Sequence, residues 1–256
     1  MIGAIAGDVI GSTYEFHAIK STEFELFTHW SKFTDDTVCT IAVAKAILTG
    51  LDLSPLLKET CLQFPHAGYG GMFKKWLYSS SLEPYNSFGN GSAMRVSPVG
   101  FAFTTEKEVL EEAKRSADVT HNHPEGVKGA QATALAIFLA VQGSDKITIK
   151  KEIASRFEYD LDRKLSDIRS DYHFDVTCQG SVPESIIAFL ESTSYEDCIR
   201  LAVSLGGDAD TQACIAGGIA QAFYRDIPVE ILEKTTGLLT EDMRETLTTF
   251  KERFGW

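Results

Sequence analysis

The sequence predicts an all-α bundle, and three observations lead there. Apolar residues recur at helical spacing in one stretch after another, as in Ile41, Ala44, Ile47 and Leu48 or Ala132, Leu135, Ala136 and Leu139. The polar and glycine-rich stretches between them do not alternate as strands should. Gly3, Gly7 and Gly11 recur every fourth residue, so on a helix they line one face and permit close contact with a neighbour. They do not spell G-x-G-x-x-G, which disfavours a dinucleotide-binding βαβ start.

The first helix ends near STYEF, where Glu15 reads as an exposed acid beside a turn. In FTDDTVCTIAVAKAIL, residues 33 to 48, Thr34 or Asp35 can cap a second helix, because a side-chain oxygen there accepts an otherwise unpaired backbone N–H. Adjacent Asp35 and Asp36 exceed what a cap requires. They read either as acids stabilised by a helix N-terminus or as ligands, since neighbouring carboxylates repel unless a cation, proton or partner compensates.

Residues 55 to 62 and 72 to 78 read as helices, and PHAGYGG between them supplies flexible backbone in which Gly68, Gly70 and Gly71 either cradle a phosphate through N–H groups or simply form turns. In SFGNGSAMRVSPVG, residues 87 to 100, Asn90 and Gly91 suit a hairpin turn or a ligand loop entering a helix. A helix follows over 106 to 118. The histidines of THNHPEGVKG precede the next one, and His121 and His123 read as capping or packing groups more readily than as a metal pair. Lys146 to Cys178 is charged and irregular, with IRSDYHFD hinting at an extended segment. Pro183 in VPESIIAFLES stands near a helix start, which its fixed φ favours. No G-x-S-x-G nucleophile elbow occurs.

GGDADTQACIAGGIAQAFY, residues 206 to 224, repeats the chemistry of the second helix: Asp208, Asp210 and Thr211 precede a helix whose Ala216, Ile219, Ala220 and Phe223 form a buried face, while Ala213, Gly217 and Gly218 admit a neighbour. Two such starts pointed at one another would pool four Asp carboxylates and two Thr hydroxyls. An all-oxygen set suits hard divalent cations, Mg²⁺ or Mn²⁺, rather than zinc, and this many carboxylates can hold two.

Length and composition narrow the class. The chain has 256 residues with 44% hydrophobic content, enough for a sizeable core in one domain spanning 1–256, with two small domains as the alternative. A formal charge of −12 with no basic run disfavours general nucleic-acid binding, so an anionic ligand needs backbone N–H groups or metal. Five cysteines, Cys39, Cys61, Cys178, Cys198 and Cys214, with no C-x-x-C pair argue for a reducing compartment and buried thiols. The start MIGAIAGDVIG lacks a basic n-region and contains Asp8, so neither a signal peptide nor a membrane span is expected, and a cytoplasmic location is.

GDVIGSTYEF, FTDDT, GYGG, FGNGSAMRVSP, THNHPEGVKGA and GGDADT, in that order across residues 7 to 211, resemble the ADP-ribosylglycohydrolase family, of the dinitrogenase-reductase-activating glycohydrolase type. The resemblance implies a single-domain orthogonal helical bundle with two divalent cations, Mg²⁺ or Mn²⁺, held by Thr34, Asp35, Asp36, Asp208, Asp210 and Thr211. It implies that Gly68, Tyr69, Gly70 and Gly71 lie near a diphosphate, that Phe88, Gly89, Asn90, Gly91, Ser92 and Met94 line the ADP-ribose cleft, and that His121 contacts the ligand. It implies hydrolysis of the glycosidic bond between ADP-ribose and a protein side chain or small molecule, with free ADP-ribose as product and Glu15 or Asp36 as the catalytic acid/base. The motifs do not separate arginine, serine, ADP-ribose or nucleobase acceptors. A metal-dependent phosphohydrolase and a non-catalytic ADP-ribose reader are the alternatives; intact acidic clusters argue against the reader.

Overall fold

The computed structural model describes all 256 residues and is helical throughout. Its fifteen helices are α1 (Ile2–Gly11), α2 (Asp35–Thr49), α3 (Leu53–Leu62), α4 (Gly71–Leu77), α5 (Gly91–Met94), α6 (Ser97–Ala102), α7 (Glu106–Asp118), α8 (Pro124–Val141), α9 (Lys146–Phe157), α10 (Leu165–Ile168), α11 (Cys178–Glu191), α12 (Tyr195–Val203), α13 (Ala209–Tyr224), α14 (Val229–Leu238) and α15 (Glu241–Phe254). The all-α expectation holds. The only β pairing is an isolated antiparallel bridge between Gly89 and Thr177.

The glycine spacing of α1 decides the centre of the fold. A Cβ at Gly3 would stand 2.7 Å from the carbonyl oxygen of Gly217, one at Gly11 2.5 Å from that of Ala209, and one at Gly7 closer still to that of Ala213. Because partner numbers fall as the α1 numbers rise, the two helices run antiparallel with backbones in contact, and the C-terminal end of α1 meets the N-terminal end of α13. Tyr195 reinforces the pair by donating its hydroxyl to the carbonyl of Gly3 at 2.6 Å.

α13 is buried on all sides, since every residue from Ala209 to Ala222 is covered. Alanine and glycine at its contacts let α1, α11, α12 and α8 pack around it. A core of 47 buried residues and a second of 17 share α1 and α13: Ala6 and Ile10 belong to the larger, Ala4 and Ile5 to the smaller. All five cysteines are buried and free. No helix is long and apolar enough to cross a membrane.

Local signals explain most helix starts. Thr105 and Glu108 form a capping box at α7, a pattern worth about 1 kcal/mol. His123 caps α8 by accepting the Glu125 N–H at Nδ1, 3.1 Å away, with Pro124 in the first turn. Three expectations need correction. The stretch from Lys146 to Cys178 is not irregular throughout: α9 runs from Lys146 to Phe157, capped by Asp145, whose Oδ1 accepts the Thr148 N–H at 2.7 Å. Pro183 does not mark a start: α11 begins at Cys178, capped by Thr177, and Pro183 lies inside it. The missing N–H there falls within an otherwise buried helix, where packing outweighs one absent hydrogen bond. IRSDYHFD forms no strand either; Val176 accepts the Asn90 N–H at 2.7 Å and Cys178 donates to Phe88 at 2.9 Å, which fastens this loop to the 87–90 segment without building a ladder.

Candidate active site

The site grows from three helix ends. The antiparallel α1–α13 contact brings the turn after α1 to the start of α13, and there carboxylate oxygens of Glu15, Asp208 and Asp210 lie within 4.8 Å of one another. Thr34 caps α2, its Oγ1 accepting the Asp36 N–H at 3.3 Å. Asp36 faces across to α13, where Thr211 Oγ1 donates to its Oδ1 at 3.3 Å, while its Oδ2 is buried without any partner. The two acidic helix starts therefore converge, and Glu15, an ordinary surface acid by local reading, is partly buried among them.

Electrostatics follow from that crowding. No lysine or arginine hydrogen-bonds Asp35, Asp36, Asp208 or Asp210. Burial and then the charge of Asp210 hold Asp35 and Asp36 well above the usual carboxylate range, and Asp210 is raised in turn by burial and by Asp208. Burial raises Asp208 to about 6 against the pull of its hydrogen bonds. Glu15 is pushed up to about 8, by burial first and then by Asp210 and Asp8, with Lys32 opposing.

The glycine loops brace this centre. The Asp35 N–H donates to the Ala67 carbonyl at 2.8 Å, and Gly68 sits at φ +116°, a conformation strained for any residue with a side chain, with its Cβ position 3.0 Å from Asp35 Oδ1. Gly70 and Gly71 are open to solvent. Tyr69, in contrast, turns inward: its ring stacks near Phe73 and its hydroxyl donates to the Cys61 carbonyl at 3.1 Å. Asn90 Nδ2 donates to Asp208 Oδ2 at 2.7 Å and to Ser181 Oγ at 3.0 Å. Ser92 is buried on the Gly126 carbonyl, and Met94 reaches Thr211 through its sulfur. Phe88 is 45% exposed at the rim, its ring beside His123. His121 is buried, its Nδ1 2.7 Å from Thr120 Oγ1; Nε2 would meet a Cβ on Gly91 at 2.9 Å, so glycine there admits the imidazole. Burial, then the charge of Arg95, holds its pKa well below the usual imidazole range.

One residue at the centre went unseen as a site residue in the sequence. Asp8 is fully buried on α1 and accepts the N–H of Thr34 at 3.0 Å, the Thr34 hydroxyl at 2.6 Å, the N–H of Thr37 at 3.1 Å and the Thr37 hydroxyl. The available signal was a lone acid inside an apolar, glycine-spaced helix, a place a charge does not occupy without partners.

Fold and site define an all-α protein with a buried, oxygen-lined acidic centre. A family model described as ADP-ribosylglycohydrolase matches residues 1–254. ADP-ribosylhydrolase ARH3 of Mus musculus is 27% identical, over 88% of this chain and 82% of its own length, and the Homo sapiens ARH3 is equally similar over 84% of its length. ADP-ribosylarginine hydrolase Tri1 of Pseudomonas putida (strain GB-1) is 24% identical over 91% of this chain and 72% of its own. A solved structure described as an ADP-ribosylglycohydrolase-related protein complex superposes with a TM-score of 0.78 at 22% identity, covering 98% of this chain and 95% of that one, a likeness of fold. The chain belongs to the ADP-ribosylglycohydrolase family and is a hydrolase of that family.

Proposed function

We propose that this hydrolase cleaves the glycosidic bond joining ADP-ribose to an acceptor, a modified side chain or small molecule, and releases ADP-ribose. The observation that carries the reading is the convergence of Glu15, Asp208 and Asp210 within 4.8 Å, joined to Asp36 through Thr211. Uncompensated carboxylates and the orphaned Asp36 Oδ2 fit divalent cations, Mg²⁺ or Mn²⁺, held by Thr34, Asp35, Asp36, Asp208, Asp210 and Thr211. Such cations, when bound, supply the positive charge that engages ribose hydroxyls and orients the sugar.

The chain's own groups divide the remaining work. Cleavage at the anomeric carbon passes through an oxocarbenium-like state and needs a proton delivered to the leaving group and water deprotonated. Glu15, at about 8 before cation binding, is poised for proton transfer near neutral pH. A cation beside Asp210 would offset one of the charges that raise it. Asn90 fixes the orientation of Asp208, the open backbone at Gly70 and Gly71 suits a diphosphate, and exposed Phe88 offers a face to an aromatic base. Tyr69 contributes as scaffold for its loop.

Product-resolved hydrolysis of arginine-, serine- and nucleobase-linked ADP-ribose, with Mg²⁺ or Mn²⁺ present, tests the reading. Free ADP-ribose is expected from at least one linkage. Phosphate as product, or tight ADP-ribose binding without turnover on any linkage, would overturn it.

A further inference from the structure

Asp8 is a buried carboxylate outside the group formed by Glu15, Asp208 and Asp210. All four of its hydrogen bonds come from the first turn of α2 and its cap. Three of the four fall on Oδ2 and one, from the Thr34 hydroxyl, on Oδ1, so both carboxylate oxygens are engaged by the start of α2. Its effect falls on Thr34. That hydroxyl carries one proton and two lone pairs; the proton goes to Asp8 Oδ1 at 2.6 Å, the Asp36 N–H occupies one lone pair at 3.3 Å, and the other is uncommitted.

We propose that Asp8 is a positioning residue for the cation centre: it holds the Thr34 hydroxyl with a lone pair free for a cation, and fixes the first turn of α2 so that Asp35 and Asp36 face the start of α13. The proposal rests on the reading of the acidic centre as a divalent-cation site. Asp8 follows Gly7 and precedes Gly11, and those two glycines are the points where α1 touches the backbone of Ala213 and Ala209. The same helix therefore presses against α13 through its glycines and grips α2 through its aspartate. α1 sets the spacing between the two acidic starts, and one side chain links that spacing to the ligand set. Groups that orient metal ligands without touching the metal commonly change affinity by about 10- to 100-fold when removed.

The test uses the full chain, Mn²⁺ as probe, calorimetry for affinity, and thermal melting with and without the cation. Asp8→Asn keeps the shape, loses the charge and sets an amide against hydroxyls that donate. Its Mn²⁺ affinity is expected to fall by about 10- to 100-fold, and its cation-induced rise in Tm to shrink. Thr37→Val strips one donor from Asp8 without altering any carboxylate of the centre, and is expected to weaken Mn²⁺ binding severalfold; if Asp8→Asn does not fold, this variant decides. A lower cation-free Tm with wild-type Mn²⁺ affinity would make Asp8 merely structural and overturn the proposal, as would unchanged affinity in both variants. A wild-type chain that binds no Mn²⁺ would instead remove the cation reading itself.

Discussion

Thr211 Oγ1 donates to Asp36 Oδ1 at 3.3 Å across 175 residues of sequence, and that bond ties one acidic helix start to the other. Asp36 keeps a second oxygen buried and unpartnered, an arrangement that costs free energy unless something binds there. Asp36→Asn is therefore expected to lose divalent-cation affinity together with turnover. Chelation of the wild-type chain should lower its Tm, since a ligand bound only to the folded state stabilises it by about 2.7 kcal/mol at a hundredfold excess over Kd. Full activity and unchanged Tm after exhaustive chelation would show that no cation works at this centre.

Glu15→Gln preserves shape and removes the proton-transfer carboxylate. Turnover should fall by roughly two to four orders of magnitude, with ADP-ribose affinity and cation content retained. Calorimetry and steady-state kinetics on one preparation separate these quantities. Near-normal turnover with cations in place would move the acid/base role to Asp36.

The same variant reads the pH dependence of the cation-free protein. Glu15 ionises near its ordinary 4.5 in the unfolded chain but near 8 in the folded one, so between those values the folded state binds more protons and Glu15 makes stability fall as pH rises. Glutamine does not titrate. The Tm of cation-free Glu15→Gln relative to wild type should accordingly climb from about pH 4.5 to about pH 8 and level off above. A difference that stays flat or declines over that window would show that Glu15 is not crowded by Asp210 and Asp8.

Gly7→Ala tests the helix contact beneath the site. An added Cβ would collide with the carbonyl of Ala213, and backbone on both sides leaves no flexible atom to yield. The expected loss in urea denaturation is at least about 1–3 kcal/mol, the usual range for overpacking. Wild-type stability would mean that α1 and α13 are not in backbone contact. Gly237, with nothing near its Cβ position, is the control expected to accept alanine in the same assay without such a clash.

Much of this molecule is legible in the residue order because helix formation and capping are local. The fourth-residue glycines announced a close helix pair, the apolar spacing gave α2, α8 and α13, and Thr-Asp-Asp and Asp-Ala-Asp-Thr before small-residue helices marked the acidic starts. Tertiary structure decided the rest. Which helix the glycines of α1 would meet, and in which direction, depends on backbone contacts with residues about two hundred positions away, and only that antiparallel register carries Glu15 from a surface turn to Asp208 and Asp210. Tyr69 and Asp8 show the same division. Nothing near Tyr69 in sequence says that its ring joins the core through Phe73 and Cys61, and nothing near Asp8 names Thr34 and Thr37 as its donors. Periodicity records which face of a helix avoids water, whereas the identity of the group on the other side is fixed by packing between segments remote in the chain.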